Sequence, residues 1–178
     1  MMRHLLAFII LSICLLPAAV FADSAKAPKL IGERLSLMKD VAIYKAQRGL
    51  PVEDLAREAV VIDAAVKSAA EHGLEPASTR AFFQAQIDAA KVIQACWIER
   101  WEAQGELPAD GADLVNEIRP ELLRLGDAIV AAIAVNIASE DRNSGAHGLS
   151  ELLAVECLDS EAGNRIANAL SAITLSDR

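Results

Sequence analysis

The sequence predicts an all-α protein, a bundle of about six helices with one long core helix. Alanine, leucine and glutamate, three strong helix formers, recur throughout the chain. Aromatic residues, which strands favour, make up only 4% of it. No segment alternates apolar and polar residues as a half-buried strand would, so we expect helices alone.

Glycine and proline bound the first two predicted helices. We expect one helix over residues 28–47, because Gly49 and the turn at Pro51 end it. We expect the second over residues 54–71, because Gly73 follows its last turn and suits the position after a helix end.

The third predicted helix spans residues 75–104 and is the core helix of the bundle. Pro76 fits its first turn, where a missing backbone N–H leaves no bond unmade. Large apolar residues recur along this segment and identify it as the element around which the others pack: Phe82, Phe83, Ile87, Val92, Ile93, Trp97 and Trp101.

The remaining chain is predicted to form a linker followed by further helices. Residues 105–111 are rich in glycine, proline and acidic residues and form the linker. A fourth helix is expected over residues 112–138, weakened in its first half by Pro120 and Gly126. Two short closing helices are expected over residues 149–158 and 161–175.

The first residues resemble an export signal. Arg3 precedes an apolar run at residues 5–16, and small residues lead to a cleavage position after Ala22. The run is shorter than the ~20 residues that a membrane-spanning helix needs. We therefore expect residues 1–22 to be removed and residues 23–178 to form a single periplasmic or secreted domain without a membrane anchor.

The net charge of the chain excludes one class of partner. The formal charge is −8, and loss of the signal removes one basic and no acidic residue, which gives −9. A strongly acidic surface repels polyanions, so we expect no nucleic-acid partner. A small anionic ligand stays compatible, because a local group of Arg and Lys side chains decides the potential inside a cavity.

Cysteine usage leaves two alternatives open. Cys14 leaves with the signal, so Cys96 and Cys157 are the mature cysteines. An oxidising compartment allows them to form a disulfide, but the sequence does not show whether their Cα atoms come close enough. Two small thiols in the core are the simpler interpretation.

Several polar residues stand where the core of a helical protein is expected. Arg34 and Lys45 lie eleven residues apart, which at about 100° per residue returns them to nearly the same helical face. That face also carries Leu30, Met38 and Val41, so it is the apolar face. Charges buried there are costly unless they are paired.

The next two helices continue this pattern. Arg57 and Glu58 precede the apolar pair at residues 61–62 by one turn, and Gln94 is aligned with Ile87 and other apolar residues. No run of carboxylates in these segments supplies the missing countercharge. The sequence therefore indicates a bound anionic ligand.

Six of these polar residues, in their order and spacing, resemble the active-site series of the all-helical chorismate mutases: Arg34, Lys45, Asp54, Arg57, Glu58 and Gln94. The similarity is to the secreted subgroup of that family, and Arg119 matches it more loosely. The resemblance implies a type II chorismate mutase fold, with catalytic helices in residues 30–104 and a helical extension in residues 112–178. It also implies a homodimer in which each site is built within one protomer.

The resemblance implies conversion of chorismate to prephenate, a rearrangement that needs no cofactor, metal or nucleophile. Arg34, Arg57 and Arg119 would grip the two substrate carboxylates, since guanidinium donates two parallel hydrogen bonds to a carboxylate. Lys45 and Gln94 would meet the ether oxygen, where negative charge builds as the C–O bond breaks.

Each of these residues also has a structural interpretation. Lys45 fits a lysine that extends to solvent near a helix end, and Gln94 fits a buried amide satisfied by a neighbouring helix. Arg119 taken alone is better explained by a salt bridge, and Pro120 disfavours helical backbone just before it.

Glu58 and Asp54 would serve the substrate hydroxyl, Asp54 mainly through its backbone N–H. Asp54 has an equal claim as a helix cap, and Glu58 fits an ion pair with Arg57 or Arg80.

Two positions depart from relatives. Ala90 replaces a hydroxyl residue and Val61 replaces a glutamine found in some members, and each change removes a hydrogen bond worth roughly 0.5–1.5 kcal/mol.

Two other functional hypotheses compete with the enzyme hypothesis. One is a non-catalytic periplasmic protein that uses the same cations to bind a small dicarboxylate, and the other is an exported bundle whose polar interior residues pair with one another. Metal chemistry has little support, since His72 and His147 belong to no metal-spaced cluster.

Overall fold

The computed structural model describes residues 26–138 and 154–177, and their regular secondary structure is helical, which confirms the all-α prediction. The predicted signal at residues 1–22 lies outside the described residues. Six α-helices are described, and a π-helical turn at Leu114–Ile118 precedes the fifth: α1 Lys26–Ser36, α2 Met38–Gln47, α3 Leu55–Glu71, α4 Pro76–Gln104, α5 Arg119–Ala138 and α6 Ser160–Ser171.

The first predicted helix is interrupted at one residue. Leu37 separates α1 from α2, but its backbone stays near helical values with φ −67° and ψ −10°. Its carbonyl accepts the Val41 N–H at 3.2 Å, so the chain continues in almost the same direction. The apolar face predicted across residues 28–47 is therefore kept across the break.

Side-chain caps fix the starts of α3 and α4 close to where the sequence places them. Asp54 Oδ1 accepts the Arg57 N–H at 3.0 Å and caps α3. Glu75 caps α4, and its carboxylate accepts the N–H groups of Ala77 and Ser78 at 2.8 and 2.6 Å. Such caps satisfy backbone donors that the first helical turn leaves open.

Helix α4 is the centre of the core, as predicted. It packs against α1, α2, α3 and α6, whereas α5 packs against α1 and α3. Phe82 and Phe83 are buried on α4, and the rings of Trp97 and Trp101 stack with centroids 5.6 Å apart. Gly105 adopts φ +67° and ends the helix, a backbone conformation that favours glycine.

The predicted helix over residues 112–138 differs from the structure in its first residues. The Gln47 amide donates to the carbonyls of Pro108 and Ala109 at 2.8 and 3.0 Å and holds the linker against α2. The Asp113 carboxylate then caps the π turn. Because the Arg119 N–H donates to the Leu114 carbonyl five residues earlier, the chain starts as a π turn and not an α-helix.

The backbone at Arg119 is helical, with φ −64° and ψ −44°. The expectation that Pro120 would disfavour this conformation is wrong. Pro120 lies in the first turn of α5, where its missing N–H costs no helical hydrogen bond.

The prediction of a first closing helix is also wrong for the residues of it that the structure describes. Residues 154–158 form a turn, and Cys157 has φ +70°. Cys157 forms a disulfide with Cys96 of α4 across a Cα–Cα distance of 5.8 Å, so the simpler interpretation of two free thiols is wrong as well. Helix α6 starts after Asp159, which caps it, and ends at residue 171.

No helix within residues 26–138 and 154–177 is long and apolar enough to cross a membrane.

We expect loss of the disulfide to destabilise the protein. The bond joins residues 61 positions apart, and a disulfide typically stabilises a fold by about 2–4 kcal/mol. Cys96→Ser combined with Cys157→Ser should lower the free energy of unfolding by that amount in urea titrations followed by circular dichroism. Reductant should destabilise the parent and leave the double variant unchanged. Equal stability of the oxidised and reduced parent would contradict the expectation.

Candidate active site

One cavity brings all seven predicted site residues together. It opens between α1, α2, α3, α4 and the start of α5, and the space free of protein atoms is about 610 Å³, including its mouth. Its lining consists of Arg34, Met38, Val41, Lys45, Val52, Asp54, Arg57, Glu58, Val61, Ile87, Ala90, Lys91, Gln94, Leu114, Arg119 and Leu122.

The charge of this lining is opposite in sign to that of the chain. Five lining residues are cationic and two are carboxylates, whereas the whole chain carries −8. Most of the other lining residues are apolar, and a low-dielectric wall strengthens the potential inside a cleft. The cavity is therefore suited to a small anion.

Arg34 lies in the interior, as its position on the apolar face predicts. Its side chain is among the buried ones, at 3% exposure, and its Cζ lies 5.9 Å from the centre of the Phe83 ring. Nε and Nη1 have no hydrogen-bond partner among the described residues. Burial, and then the charge of Arg57, lower the pKa of Arg34 to about 10, which still leaves it cationic at neutral pH.

Arg57 and Arg119 face the same cavity from two helices. Arg57 lies in the first turn of α3, and its buried Nη2 has no partner within the described part of the chain. Burial and then the charge of Arg119 lower the pKa of Arg57, against the opposing effect of Asp54. The salt bridge proposed as the structural role of Arg119 is not found among the described residues. The two guanidinium groups therefore repel each other across the site.

Lys45 lines the cavity and is half-buried. Its ammonium donates to the Val52 carbonyl, in the loop before α3. Burial lowers its pKa most, Arg119 lowers it further, and the carboxylates of Asp54 and Glu58 oppose the change. One N–H of the ammonium is thus used locally, and a ligand can take the others.

Asp54 and Glu58 interact with each other at the start of α3. The Asp54 side chain caps the helix, and its backbone N–H donates to Glu58 Oε1 at 3.3 Å. Glu58 Oε2 accepts from Lys91 at 3.4 Å. Among the described residues Glu58 forms no ion pair with Arg57 or Arg80, the partners that the sequence suggested.

Gln94 is buried on α4 with half of its amide satisfied. Nε2 donates to the Ala90 carbonyl at 3.0 Å and lies 3.6 Å from the Met38 sulfur. Oε1 has no partner in the described ranges. The neighbouring helix thus offers only a weak sulfur acceptor. The interpretation of Gln94 as a buried amide satisfied by a neighbouring helix is therefore only partly correct. Ala90 and Val61, the two departures from relatives, both line the cavity.

Sequence reasoning missed one charged residue of the lining. Lys91 follows Ile87 by four residues and precedes Gln94 by three, so helical spacing places it beside both. That spacing was the available signal.

Within the described ranges, no group of three or more His, Cys, Asp or Glu side chains could hold a metal ion.

Comparison with known proteins identifies the family. The family model for chorismate mutase type II matches residues 26–95, which include six of the seven predicted site residues. The crystal structure of a secreted chorismate mutase from Yersinia pestis is 31% identical with a TM-score of 0.79, and the match covers 85% of this chain and 98% of that chain. The chain belongs to the type II chorismate mutase family.

Two curated relatives of this family extend the comparison. A monofunctional chorismate mutase from Enterobacter agglomerans is 36% identical over 121 residues, and a secreted chorismate mutase from Yersinia pestis is 41% identical over 105 residues. The match spans 66% and 56% of the lengths of these two relatives and 65% and 59% of this chain. The resemblance stated from the sequence is therefore confirmed at the level of the family.

We expect Arg34→Met to leave the unliganded protein as stable as the parent or to stabilise it by about 1–3 kcal/mol. The reason is that an apolar side chain replaces an uncompensated buried charge. Urea unfolding without added anions measures this. Arg124→Met is the control, since Arg124 forms an exposed ion pair with Glu121 and should change stability by less than about 1 kcal/mol. A clear loss of stability in Arg34→Met would show instead that Arg34 is a structural residue.

Proposed function

We propose that this family member rearranges chorismate to prephenate, with the cavity described above as its active site. The observation that carries the proposal is a cavity lined by cations, in which Arg34 and Arg57 both have buried guanidinium nitrogens without partners among the described residues. A ligand with two carboxylates supplies partners for both. Chorismate is such a ligand, and the family assignment supports it.

The carboxylates of the substrate would be held by the three arginines. Arg34 offers Nε and Nη1 from the interior, and Arg57 offers Nη2 from α3. Arg119 lines the same cavity, and its charge lowers the pKa of both Lys45 and Arg57, so it would share the second carboxylate. Binding an anion there would relieve the repulsion among these cations and fix both ends of the substrate.

The reaction itself needs restraint and charge stabilisation. One C–O bond breaks as one C–C bond forms, and no atom enters or leaves the substrate. Holding the enolpyruvyl chain over the ring supplies the restraint. Lys45 would donate to the ether oxygen, whose negative charge grows toward the transition state. The Gln94 amide would join it by moving Nε2 from its weak contact with the Met38 sulfur. No cofactor takes part in this proposal.

Glu58 would accept a hydrogen bond from the substrate hydroxyl. Asp54 would support that contact from the start of α3, where its side chain is already used as the helix cap. Its backbone N–H is directed at Glu58 Oε1 at 3.3 Å, so it would act on the hydroxyl mainly by holding Glu58.

We propose that the protein works outside the cytoplasm, in the periplasm or after secretion. The predicted signal at residues 1–22 and the likeness to a protein named as a secreted chorismate mutase support this. The Cys96–Cys157 disulfide supports it independently, since such bonds persist in oxidising compartments. Residues 23–178 would then be the mature domain, free of the membrane.

The homodimer implied by the family resemblance belongs to this proposal as well. All seven proposed site residues come from one chain. Each protomer would therefore carry a complete site, and turnover per chain should not depend on protein concentration across the dimer–monomer transition.

Substitution of the two proposed donors tests the reaction. Lys45→Ala and Gln94→Ala should each lower kcat by ~10²–10³, the typical cost of losing one transition-state donor. Chorismate absorbance and acid conversion of prephenate to phenylpyruvate follow the reaction, and circular dichroism checks the fold. Lys29→Ala, an exposed lysine on α1, is the control with parental turnover. A folded parent that binds chorismate without converting it would favour the dicarboxylate-binding alternative.

The pH profile tests the role of Gln94 separately. Its amide does not titrate, so we expect kcat of the parent to be nearly flat from about pH 6 to 8. In Gln94→Glu the new side chain can donate only when protonated. Its turnover should therefore rise as the pH falls, by up to about tenfold per pH unit. Parallel profiles for the two proteins would remove Gln94 from the ether-oxygen site.

A further inference from the structure

Lys91 is a charged residue of the cavity wall to which the reaction as proposed gives no role. It lies on α4 between Ile87 and Gln94, and its side chain is 28% exposed. Its Nζ lies 3.4 Å from Glu58 Oε2, 3.5 Å from Asp88 Oδ1 and 3.8 Å from Glu53 Oε1. Three carboxylates, from the loop before α3, from α3 and from α4 itself, thus surround one ammonium.

This environment distinguishes Lys91 from the other cations of the site. Arg34 and Arg57 have buried nitrogens without partners among the described residues, whereas Lys91 has three anionic neighbours. Burial lowers the pKa of Lys91, but Glu58 and then Asp88 outweigh burial and raise it above the ordinary lysine value. The charge of Lys91 is therefore offset locally, and it is poorly placed to act as another grip for a substrate carboxylate.

The partner that matters among these three is Glu58. Its side chain is 17% exposed, against 61% for Glu53 and 43% for Asp88, so its contact with Lys91 is the least screened by water. The two oxygens of Glu58 have different partners, Oε1 the Asp54 N–H and Oε2 the Lys91 ammonium. These contacts define the plane of the carboxylate.

The contact also joins two walls of the site. Glu58 lies in the first turn of α3 beside Arg57, and Lys91 lies on α4 within one turn of Gln94. The contact between Glu58 and Lys91 therefore fixes the position of α3, which would bind the carboxylates, relative to α4, which would bind the ether oxygen. Misplacement of a binding group by about 1 Å can cost ~10² in rate.

We propose that Lys91 is a positioning residue that orients the Glu58 carboxylate toward the hydroxyl of the substrate. This inference rests on the proposed function, in which Glu58 accepts that hydroxyl. Lys91 itself makes no contact with the substrate and acts only through Glu58.

A double-mutant cycle on kcat/KM tests the inference. Lys91→Met keeps the length of the side chain and removes its charge, and it should lower kcat/KM about tenfold in the parent, as expected for loss of a charge-assisted hydrogen bond. In a Glu58→Gln background the same change should alter kcat/KM by less than about twofold. Lys91→Arg should restore most of the loss, which a purely structural contact would not require. If Lys91→Met does not fold, Lys91→Gln takes its place.

Controls separate the outcomes. Lys29→Met, in an exposed pair with Glu33 on α1, should keep parental kcat/KM, and melting temperatures report any general loss of fold. Additive effects of the Lys91 and Glu58 changes, or parental activity in Lys91→Met, would overturn the inference while the proposed function stands. A folded parent without turnover would instead reject the proposed function, and the inference would fall with it.

Discussion

The buried guanidinium group of Arg34 is the constraint on which the rest of the site depends. It is 3% exposed, two of its nitrogens have no partner within the described residues, and the charge of Arg57 adds to the cost of its burial. A protein selected for stability alone would place an apolar residue there. The large core around α4 offsets this cost, and the energy stored in unpaired charge would become available on binding of the proposed dianion.

Short polar contacts at helix ends place the cations around that group. The Asp54 cap fixes the first turn of α3 and with it Arg57. Gln47 holds the linker to α2, and the capped π turn that follows places Arg119 in the lining of the cavity. None of these contacts is strong alone, since a cap contributes about 1 kcal/mol. Together they determine where permanent charges meet, and the disulfide then ties the distal half of α4 to the segment before α6.

Features that depend on residues near each other in the sequence could be predicted from it. Features that depend on distances between residues far apart in the sequence could not. The ends of α3 and α4 follow from caps and a glycine, and the interior position of Arg34 follows from helical periodicity. The disulfide depended on a Cα–Cα distance that no pattern encodes. The π turn before α5 shares its residue preferences with an α-helix, so only its hydrogen bonds reveal it. The pairing of Lys91 with Glu58 depended on the conformation of two long side chains from different helices.

Calorimetric titration of residues 23–178 with a stable bicyclic dicarboxylate that mimics the transition state tests the central claim most directly. The claim is that the cation group is arranged for one rigid dianion and not for anions in general. We expect one site per chain and an affinity at least ~10² higher than that for succinate, because preorganised donors favour the transition-state shape. Equal and weak binding of both compounds would contradict the claim and leave only a general electrostatic attraction.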